Sequence, residues 1–537
     1  MLPAFVGPLL GLLACAAALL WVQSIVGLYM PDDAYITYRY AENLAAGRGL
    51  VFNAATPPVE GYSNLSWIVL LAGLARLGLD LPVWAAQIGR VLSLLNLLLV
   101  YGLSVAIVRQ RGWALVAPAL LALTAPYALW ARGGLETMWY ATLLLVSLGL
   151  VWLGLGGRIW PWPLAAVALF TLTLTRHDGA IPVATSGLIV LWWALGRARQ
   201  PTAAGEQAGS PVQRVRRTPG MVAGLTSFAV LTMALLSYNW WRGQYFGQLV
   251  PAPFFSRLGA TISDPSAISN TIASYFTRGP HYSAYGDLLV PLFAAAVAGC
   301  WLGRRATLRD GLLLLPVAGL SALYFSSQSY NPGIRYMVPL LPLLYLYAQR
   351  PLIGLLQYVA QQAGAGWRRV AAPLALGAVV AVFLLVMAPR TWADGDSAEQ
   401  AKLRSLVPLG QWLHNFAPPG ATVALQDIGT VAYYSGVQVI DNNPGALTNG
   451  DLIYRAGQQG FADITLKPRP TFLVFTAFSH ETPNFYGEFT ALQQDPRFTQ
   501  GYSLYGKVKY WPDRYYWVYK RGDVTLPAPA QAAFPAS

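Results

Sequence analysis

Long apolar segments alternate with short polar turns over the first 390 residues. An α-helix needs about twenty apolar residues to cross a bilayer. The pattern therefore predicts an α-helical polytopic membrane part for residues 1–390. The segments of spanning or near-spanning length fall at about 3–28, 64–79, 83–108, 113–130, 138–155, 162–175, 180–196, 221–241, 288–302, 311–326, 336–349 and 371–388.

After Arg390 the pattern of apolar positions changes. Between residues 397 and 416, leucines recur at near-helical spacing. Short β-type runs bounded by Gly, Pro and Asp follow at 421–425, 437–440, 471–475 and 515–519. Every Lys also lies after residue 400, so composition changes at the same place. We predict a small α/β domain over residues 391–537.

The arginines in the turns between apolar segments indicate sidedness, because cytoplasmic turns are enriched in basic residues. For all of them to share one side, one early segment must not cross the membrane. Segment 64–79 is short and carries Arg76, so we interpret it as re-entrant or interfacial. About eleven transmembrane helices remain, with the N-terminus inside and residues 391–537 outside. The basic turns contain Arg109 and Arg111, Arg158, Arg197 to Arg217, Arg304, Arg305 and Arg309, and Arg350 to Arg369.

Composition agrees with a membrane protein, because 55% of the 537 residues are hydrophobic and only 11% are charged. A soluble domain has about 25% charged residues. A net charge of +13 would suggest nucleic acid in a soluble protein, but here the arginines lie in membrane-flanking turns. Membrane lipids are therefore the expected partners of these arginines. Nucleic acid is not expected to be a partner.

Three features carry no predicted chemistry. Cys15 and Cys300 lie inside apolar segments, so neither a disulfide framework nor a thiolate metal site is predicted. The residues ending at Cys15 resemble a lipoprotein cleavage site, but no basic stretch precedes them and the apolar run continues, which favours a retained helix. Residues 200–220 lack apolar periodicity and are interpreted as a flexible linker.

Asp32 and Asp33 stand directly after the first apolar segment. Paired acids at a membrane exit are costly unless they have a function. The structural alternative is that Asp32, after Pro31, caps a helix that begins near Ala34. In that case Asp33 is the freer carboxylate. Both readings stay open at this point.

Further polar clusters reach the same predicted side of the membrane. Each has a structural explanation: Glu136 could end a helix, Arg176 and Asp178 could pair, and Arg335 could extend to headgroups. Their convergence favours chemistry, because a carboxylate can deprotonate a hydroxyl while guanidinium groups hold a phosphate leaving group. We therefore predict glycosyl transfer from a lipid-linked sugar phosphate. The clusters are residues 132–137, 175–179, 242–287 and 331–336.

The motifs that carry a family resemblance lie at residues 31–44, 47–53, 60–64, 134–137, 175–179, 245–247, 249–251, 335–336 and 339, with 427–429, 433–436 and 440–441 in the C-terminal domain. Through them the chain resembles GT-C glycosyltransferases, most closely the mycobacterial-type terminal β-(1→2)-arabinofuranosyltransferases. The resemblance covers most of the chain, and the first loop is its most specific part. His177 departs from it, because the family usually has Pro there, and so do Ala252 and Pro253, where an Asn-Thr-like pair is usual.

The resemblance implies a metal-optional, inverting transfer of an arabinofuranose-like sugar from a polyprenyl-phosphate donor to a glycan or lipid acceptor. It places this enzyme in a bacterial plasma (inner) membrane, with the active site and the C-terminal domain extracytoplasmic. A first-loop Asp would be the general base, Asp33 in our interpretation and Asp32 as the alternative. The other expected site residues are Arg176, His177 and Arg335 for the donor phosphate, and Glu136, Asp178, Tyr38, Arg39 and Tyr245 for substrate orientation.

Several alternatives stay open. Trp67, His281 and Asp427 are weaker candidates, and the C-terminal domain could recognise a glycan acceptor or only cap the last helix. Asp32 and Asp33 could also hold a divalent cation, since carboxylates are hard oxygen ligands. The rival functions are a different hexosyl- or pentosyltransferase acting on lipid or protein, a lipid-linked sugar transporter or flippase, and a glycan-binding protein. Acids at helix ends and no evident internal repeat favour the enzyme over the transporter.

Overall fold

A computed structural model describes residues 6–54, 56–198, 211–247, 286–303, 307–326, 334–362, 399–442, 447, 460–482, 492–511 and 514–535. Two parts are distinguished below, the membrane part (residues 6–362) and the C-terminal part (residues 399–535).

The membrane part is almost entirely helical, as predicted. Six of its helical segments are long and apolar enough to cross a membrane, judged by length and composition. Segment 371–388 of the predicted eleven, and the domain boundary at residue 390, lie outside the described residues. The α-helices are α1 (Val6–Ile25), α2 (Asp32–Ala45), α3 (Leu65–Arg76), α4 (Leu81–Val108), α5 (Val116–Ala122), α6 (Ala125–Trp130), α7 (Thr137–Leu155), α8 (Pro161–Thr175), α9 (Ala180–Ala198), α10 (Pro211–Phe246), α11 (Gly286–Leu302), α12 (Leu308–Ser326) and α13 (Leu341–Gln362).

Two predicted segments differ from the observed helices. Segment 113–130 is broken into α5 and α6, because Pro126 stands in the first turn of a new helix and the intervening Thr124 has extended backbone. The predicted linker 200–220 was wrong in its second half, where α10 already begins at Pro211. The helix α3 has 12 residues, which is short for a bilayer crossing and agrees with the interpretation of segment 64–79.

The C-terminal part is a small α/β unit, as predicted. Its five-stranded sheet has the order β2-β1-β3-β5-β4, with β1 parallel to β2 and β3, and β5 antiparallel to β3 and β4. Sequence analysis missed β4, which forms a hairpin with β5. The elements are α14 (Leu406–Phe416), β1 (Thr422–Leu425), α15 (Thr430–Ser435), β2 (Gln438–Asp441), β3 (Phe472–Ala477), α16 (Pro496–Thr499), β4 (Tyr502–Trp511), β5 (Arg514–Arg521) and α17 (Pro529–Ala532).

Both faces of the sheet are covered. Strand β3 is buried throughout, and because side chains alternate along a strand, Phe472 and Val474 enter one core while Leu473 and Phe475 enter another. The first of these cores is continuous with the core of the membrane part. The C-terminal part is therefore packed onto the helices, with the first loop (residues 26–64, including α2) between them.

Candidate active site

Asp33 lies in the first turn of α2 and points to solvent. Its side chain is 59% exposed, while the partner of its carboxylate, Arg335, is buried. The Nη1 of Arg335 donates to the Asp33 carboxylate over 2.9 Å. An accessible carboxylate held by one guanidinium can receive a proton from a substrate hydroxyl.

Arg335 also faces a second, buried carboxylate. Its Nη2 lies 3.6 Å from Glu136 Oε1. The other oxygen of Glu136 accepts a 2.8 Å hydrogen bond from Asn64 Nδ2, which also contacts the hydroxyl of Thr37 at 3.0 Å. This network joins the end of the first loop, the start of α7 and the segment before α13, and so it fixes the position of Arg335.

A second arginine, Arg176, is held by its near neighbour Asp178. The two form an ion pair of 2.6 Å in the one-turn 3₁₀-helix after α8, and the Tyr324 hydroxyl donates to the same Asp178 oxygen over 2.7 Å. The turn needs Gly179, because a Cβ there would lie 2.8 Å from the Leu172 carbonyl oxygen. The predicted pairing of Arg176 with Asp178 is thus present in the structure.

The two arginines meet at one aromatic ring. The guanidinium carbons of Arg176 and Arg335 lie 4.7 Å and 5.5 Å from the centroid of Tyr336. Within the described residues, the buried Arg176 Nη1 and Arg335 Nε have no hydrogen-bond acceptor. Two buried cations with unused donors form a site that suits an anionic ligand with several oxygens, such as a phosphate.

The backbone before Arg335 is in an uncommon conformation. Ile334 has a φ of 51°, in the left-handed region that is disfavoured for β-branched residues. Its side chain is buried, so packing holds the backbone in place. The segment presents Arg335 and Tyr336 to the site at a cost in local backbone energy.

Asp32 does not cap α2, so that expectation was wrong. Pro31 is the N-cap and the helix receives no side-chain cap. The Asp32 carboxylate instead accepts hydrogen bonds from the backbone N–H groups of Gly429 (2.8 Å) and Thr430 (2.7 Å) in the C-terminal part. Burial raises the pKa of Asp32, and these hydrogen bonds oppose the shift.

Asp427 lies at the same junction, just after β1. It accepts a hydrogen bond from the hydroxyl of Tyr516 on β5. Burial, followed by the charges of Asp32 and Asp33, raises the pKa of Asp427 to about 6. The carboxylate that follows the parallel strand β1 therefore meets a phenol from β5, a combination that can hold sugar hydroxyls.

The remaining predicted residues surround these groups. Tyr38 is fully buried and donates to the Gly134 carbonyl over 3.2 Å, as does Trp67. Arg39 is buried and donates to the carbonyls of Phe52 and Val437, a pattern typical of a residue that positions the first loop. His177 is half-buried in the turn between Arg176 and Asp178. His281 lies outside the described residues.

Tyr245 contacts the first loop from α10. Its ring stacks on Trp241 at 5.3 Å, and its hydroxyl accepts a 3.3 Å hydrogen bond from the Leu50 N–H. One turn earlier in α10, Arg242 pairs with Glu60 at 2.7 Å, and each side chain is only 3% exposed. Burial raises the pKa of Glu60 to about 7 although Arg242 opposes the shift. Sequence analysis missed this pair. The only sign of it in the sequence was an Arg near the end of an apolar helix.

The two acids of the first loop fit a divalent cation poorly. Both oxygens of Asp32 already accept backbone N–H groups, and one oxygen of Asp33 accepts from Arg335. The described part of the chain forms no group of three or more His, Cys, Asp or Glu residues placed to hold a metal ion. No step proposed below uses a metal.

The Arg176–Asp178 pair can be tested through stability. We expect Asp178→Ala to lower the free energy of unfolding by about 3–5 kcal/mol, because it leaves a buried guanidinium unpaired. The measurement is thermal unfolding of the purified protein in detergent. Asp523→Ala is the control, since Asp523 is 56% exposed and surface ion pairs contribute little to stability. Equal loss in both variants would contradict this assignment.

Comparison with solved structures identifies the fold. Archaeal oligosaccharyltransferase AglB from Archaeoglobus fulgidus, in complex with an inhibitory peptide and a dolichol-phosphate, is similar with a TM-score of 0.58 and 14% identity, over 99% of this chain and 78% of that chain. ArnT from Cupriavidus metallidurans, bound to undecaprenyl phosphate, is similar with a TM-score of 0.51 and 16% identity, over 96% of this chain and 98% of that chain. Both are GT-C membrane enzymes, and the predicted GT-C fold class is confirmed.

One more solved structure and one family model also match the chain. A complex of the Archaeoglobus fulgidus oligosaccharyltransferase with Zn and sulfate matches with a TM-score of 0.52 and 15% identity, over 93% of this chain and 71% of that chain. Residues 392–523 match a family described as a domain of unknown function (DUF8728). No curated protein sequence matches the chain significantly.

Proposed function

We propose that the protein is a membrane glycosyltransferase that transfers a sugar from a polyprenyl-phosphate donor to a glycan acceptor. The observation that carries this proposal is the pair of buried arginines on Tyr336, with unused N–H donors, next to the exposed carboxylate of Asp33. The arginines supply a phosphate site and Asp33 supplies a base. The GT-C fold makes this reaction class the natural reading of the site.

Asp33 acts as the general base in this proposal. It takes the proton of the acceptor hydroxyl as that oxygen bonds to the anomeric carbon. The bond from the anomeric carbon to the phosphate oxygen breaks at the same time, and the phosphate keeps the electron pair. Attack opposite the leaving group inverts the anomeric centre. Arg335 holds the Asp33 carboxylate in place before the reaction, since its Nη1 donates to that carboxylate.

Arg176 and Arg335 stabilise the phosphate as negative charge develops on it. Such preorganised donors act strongly because the site is buried and they need no reorientation. Asp178 orients Arg176, and Glu136 orients Arg335 and sugar hydroxyls. The other assigned roles are phosphate binding for His177 and positioning of the first loop and substrate for Tyr38, Arg39 and Tyr245.

The donor class has support from the structural comparison. The similar AglB structure contains a dolichol-phosphate, and the similar ArnT structure is bound to undecaprenyl phosphate. Both ligands are long-chain isoprenoid phosphates. The arabinofuranose-like sugar rests on the resemblance of the first loop, and His177, where the family usually has Pro, is the residue near the donor that would alter the sugar.

The acceptor site lies on the C-terminal part in this proposal. Asp427 and Tyr516 are hydrogen-bonded to each other close to Asp33, so a glycan bound there would present a hydroxyl to the base. We assign this site to the extracytoplasmic face of a bacterial plasma membrane, because the arginine-rich turns belong on the cytoplasmic side.

Release of polyprenyl phosphate from a labelled polyprenyl-phosphate pentose tests the function. We expect the purified protein in lipid vesicles to liberate polyprenyl phosphate and to move the label to an oligosaccharide acceptor. A transporter would move the donor intact across the vesicle membrane, and a binding protein would leave it unchanged, so either result would overturn the proposal. A parallel reaction after exhaustive chelation should retain activity, because both oxygens of Asp32 and one oxygen of Asp33 already accept N–H groups.

A further inference from the structure

We infer that the C-terminal part is a positioning element for the first loop, and that Asp32 is the residue through which it aims Asp33. This inference rests on the proposed function for its kinetic consequence, but its structural content can be tested without activity. It assigns a role to the region that matches the domain of unknown function, and it separates the tasks of the two neighbouring acids.

The two acids have opposite environments. Asp32 turns into the C-terminal part and gives one carboxylate oxygen to each of two backbone N–H groups, whereas Asp33 faces solvent and Arg335. Both residues stand in the rigid first turn of α2, where successive side chains differ in direction by about 100°. Fixing the Asp32 carboxylate therefore fixes the direction of the Asp33 side chain.

Gly429 makes the contact possible. A Cβ on Gly429 would lie 2.0 Å from the backbone oxygen and 2.7 Å from the Oδ2 of Asp32, so a larger residue cannot approach the loop this closely. The φ of Gly429 is −75°, which any residue can adopt. Glycine is thus required because a Cβ would clash with the first loop, and not because the backbone conformation excludes other residues.

The contact is part of a wider attachment. Asn53 exchanges two hydrogen bonds with the backbone of Val439 on β2, at 2.7 Å and 3.0 Å. Arg39 donates to the Val437 carbonyl at 2.7 Å. The C-terminal part thus holds α2 near its middle and the loop after it.

The residues before α2 are held as well. Lys402 Nζ donates to the Met30 carbonyl at 2.6 Å, and the Met30 N–H donates to Glu399 at 2.9 Å. Lys402 and Glu399 also pair with each other at 2.8 Å. The first loop is therefore attached to the C-terminal part before, at the start of and after the helix that carries Asp33.

The decisive variant is Gly429→Ala. We expect kcat to fall by about 10²-fold, because an error of about 1 Å in the placement of a catalytic group has that cost. The KM for the donor and the binding of polyprenyl phosphate should stay unchanged, since Arg176 and Arg335 are not touched. Hydrogen exchange of the amides between residues 32 and 53 should become faster. A variant that was merely misfolded would lose donor binding in proportion to kcat.

Gly522→Ala is the matched control in the same part of the chain. Its Cβ would meet its nearest atom, the Gly501 oxygen, at an ordinary 3.6 Å. It should retain normal kcat and exchange. Asn53→Ala is a milder variant, should Gly429→Ala fail to fold, and is expected to speed up exchange with a smaller loss of kcat.

The results separate this inference from the proposed function. Unchanged exchange in Gly429→Ala and Asn53→Ala would overturn the attachment, and faster exchange with normal kcat would overturn its role in aiming Asp33. If the wild type and Gly522→Ala release no polyprenyl phosphate, the proposed function fails, while exchange still decides whether the C-terminal part holds the first loop.

Discussion

Asp33→Asn is expected to abolish measurable sugar transfer while the protein stays folded. An amide keeps the size and one hydrogen-bonding oxygen of the carboxylate but cannot take the acceptor proton, and a positioned base contributes about 10²–10⁴-fold. Asp33 is 59% exposed, so the change should cost little stability. The measurement is the initial rate of polyprenyl-phosphate release, with thermal unfolding measured on the same sample.

Two further variants serve as controls for Asp33→Asn. Asp463→Asn removes a half-buried acid of the C-terminal part that pairs with Arg497 and Lys467, and it should leave the rate unchanged. Asp32→Asn keeps one oxygen that can accept an N–H, so it should slow transfer less than Asp33→Asn. A rate in Asp33→Asn close to that of the wild type would refute Asp33 as the base.

Arg335→Lys should reduce transfer by about 10²–10³-fold, the loss seen when one preorganised donor to a developing anion is removed. The guanidinium of Arg335 reaches both Asp33 and Glu136 and keeps Nε unused, whereas an ammonium is a single point of charge. In the proposed reaction Arg335 faces the leaving phosphate, so the affinity for polyprenyl phosphate should fall along with kcat. Measuring both the rate and the dissociation constant of polyprenyl phosphate tests the expectation.

Arg350→Lys is the control for that experiment. Arg350 lies in α13 and is 3.8 Å from Asp310, an ion pair separate from the candidate site. It should keep the wild-type rate and affinity. If Arg335→Lys retained normal affinity for polyprenyl phosphate, Arg335 would not be a phosphate ligand.

The sequence predicted the fold class because the two parts have different periodicities. Long apolar segments predict membrane helices, and short β-type runs bounded by turn residues predict strands. The structure contains both kinds of element. The sequence could not show that segment 113–130 breaks at Thr124, since the residues on both sides of the break are apolar. Strand β4 was missed because Gly506, Lys507 and Lys509 interrupt its apolar residues, which weakens the β-type signal.

The polar clusters that form the candidate site could be predicted from the sequence, but most of the side-chain contacts between them could not. The prediction that the basic turns share one side of the membrane assigned Asp33, Glu136, Arg176 and Arg335 to the other side. Residues on a common side are able to meet. That Arg335 contacts Asp33, 302 residues away, depends on helix packing, which the sequence pattern does not specify. Asp178 could be paired with Arg176 in advance, because the two are only two residues apart.

Asp32 shows how a local rule can be overridden. An acid after Pro31 is a reasonable helix cap. In the structure, however, the Asp32 carboxylate accepts hydrogen bonds from N–H groups 397 and 398 residues away. The pattern of the first loop contains no trace of Gly429, and only the three-dimensional contact reveals why those residues belong together.

The attachment of the first loop to the C-terminal part also has a consequence for the order of synthesis. Asp32 is synthesised almost four hundred residues before its partners at 429 and 430. Domains generally fold in the order in which they are made. The hydrogen bonds that hold Asp32 therefore form only after residues 429 and 430 have been made, long after the helices on either side of the first loop.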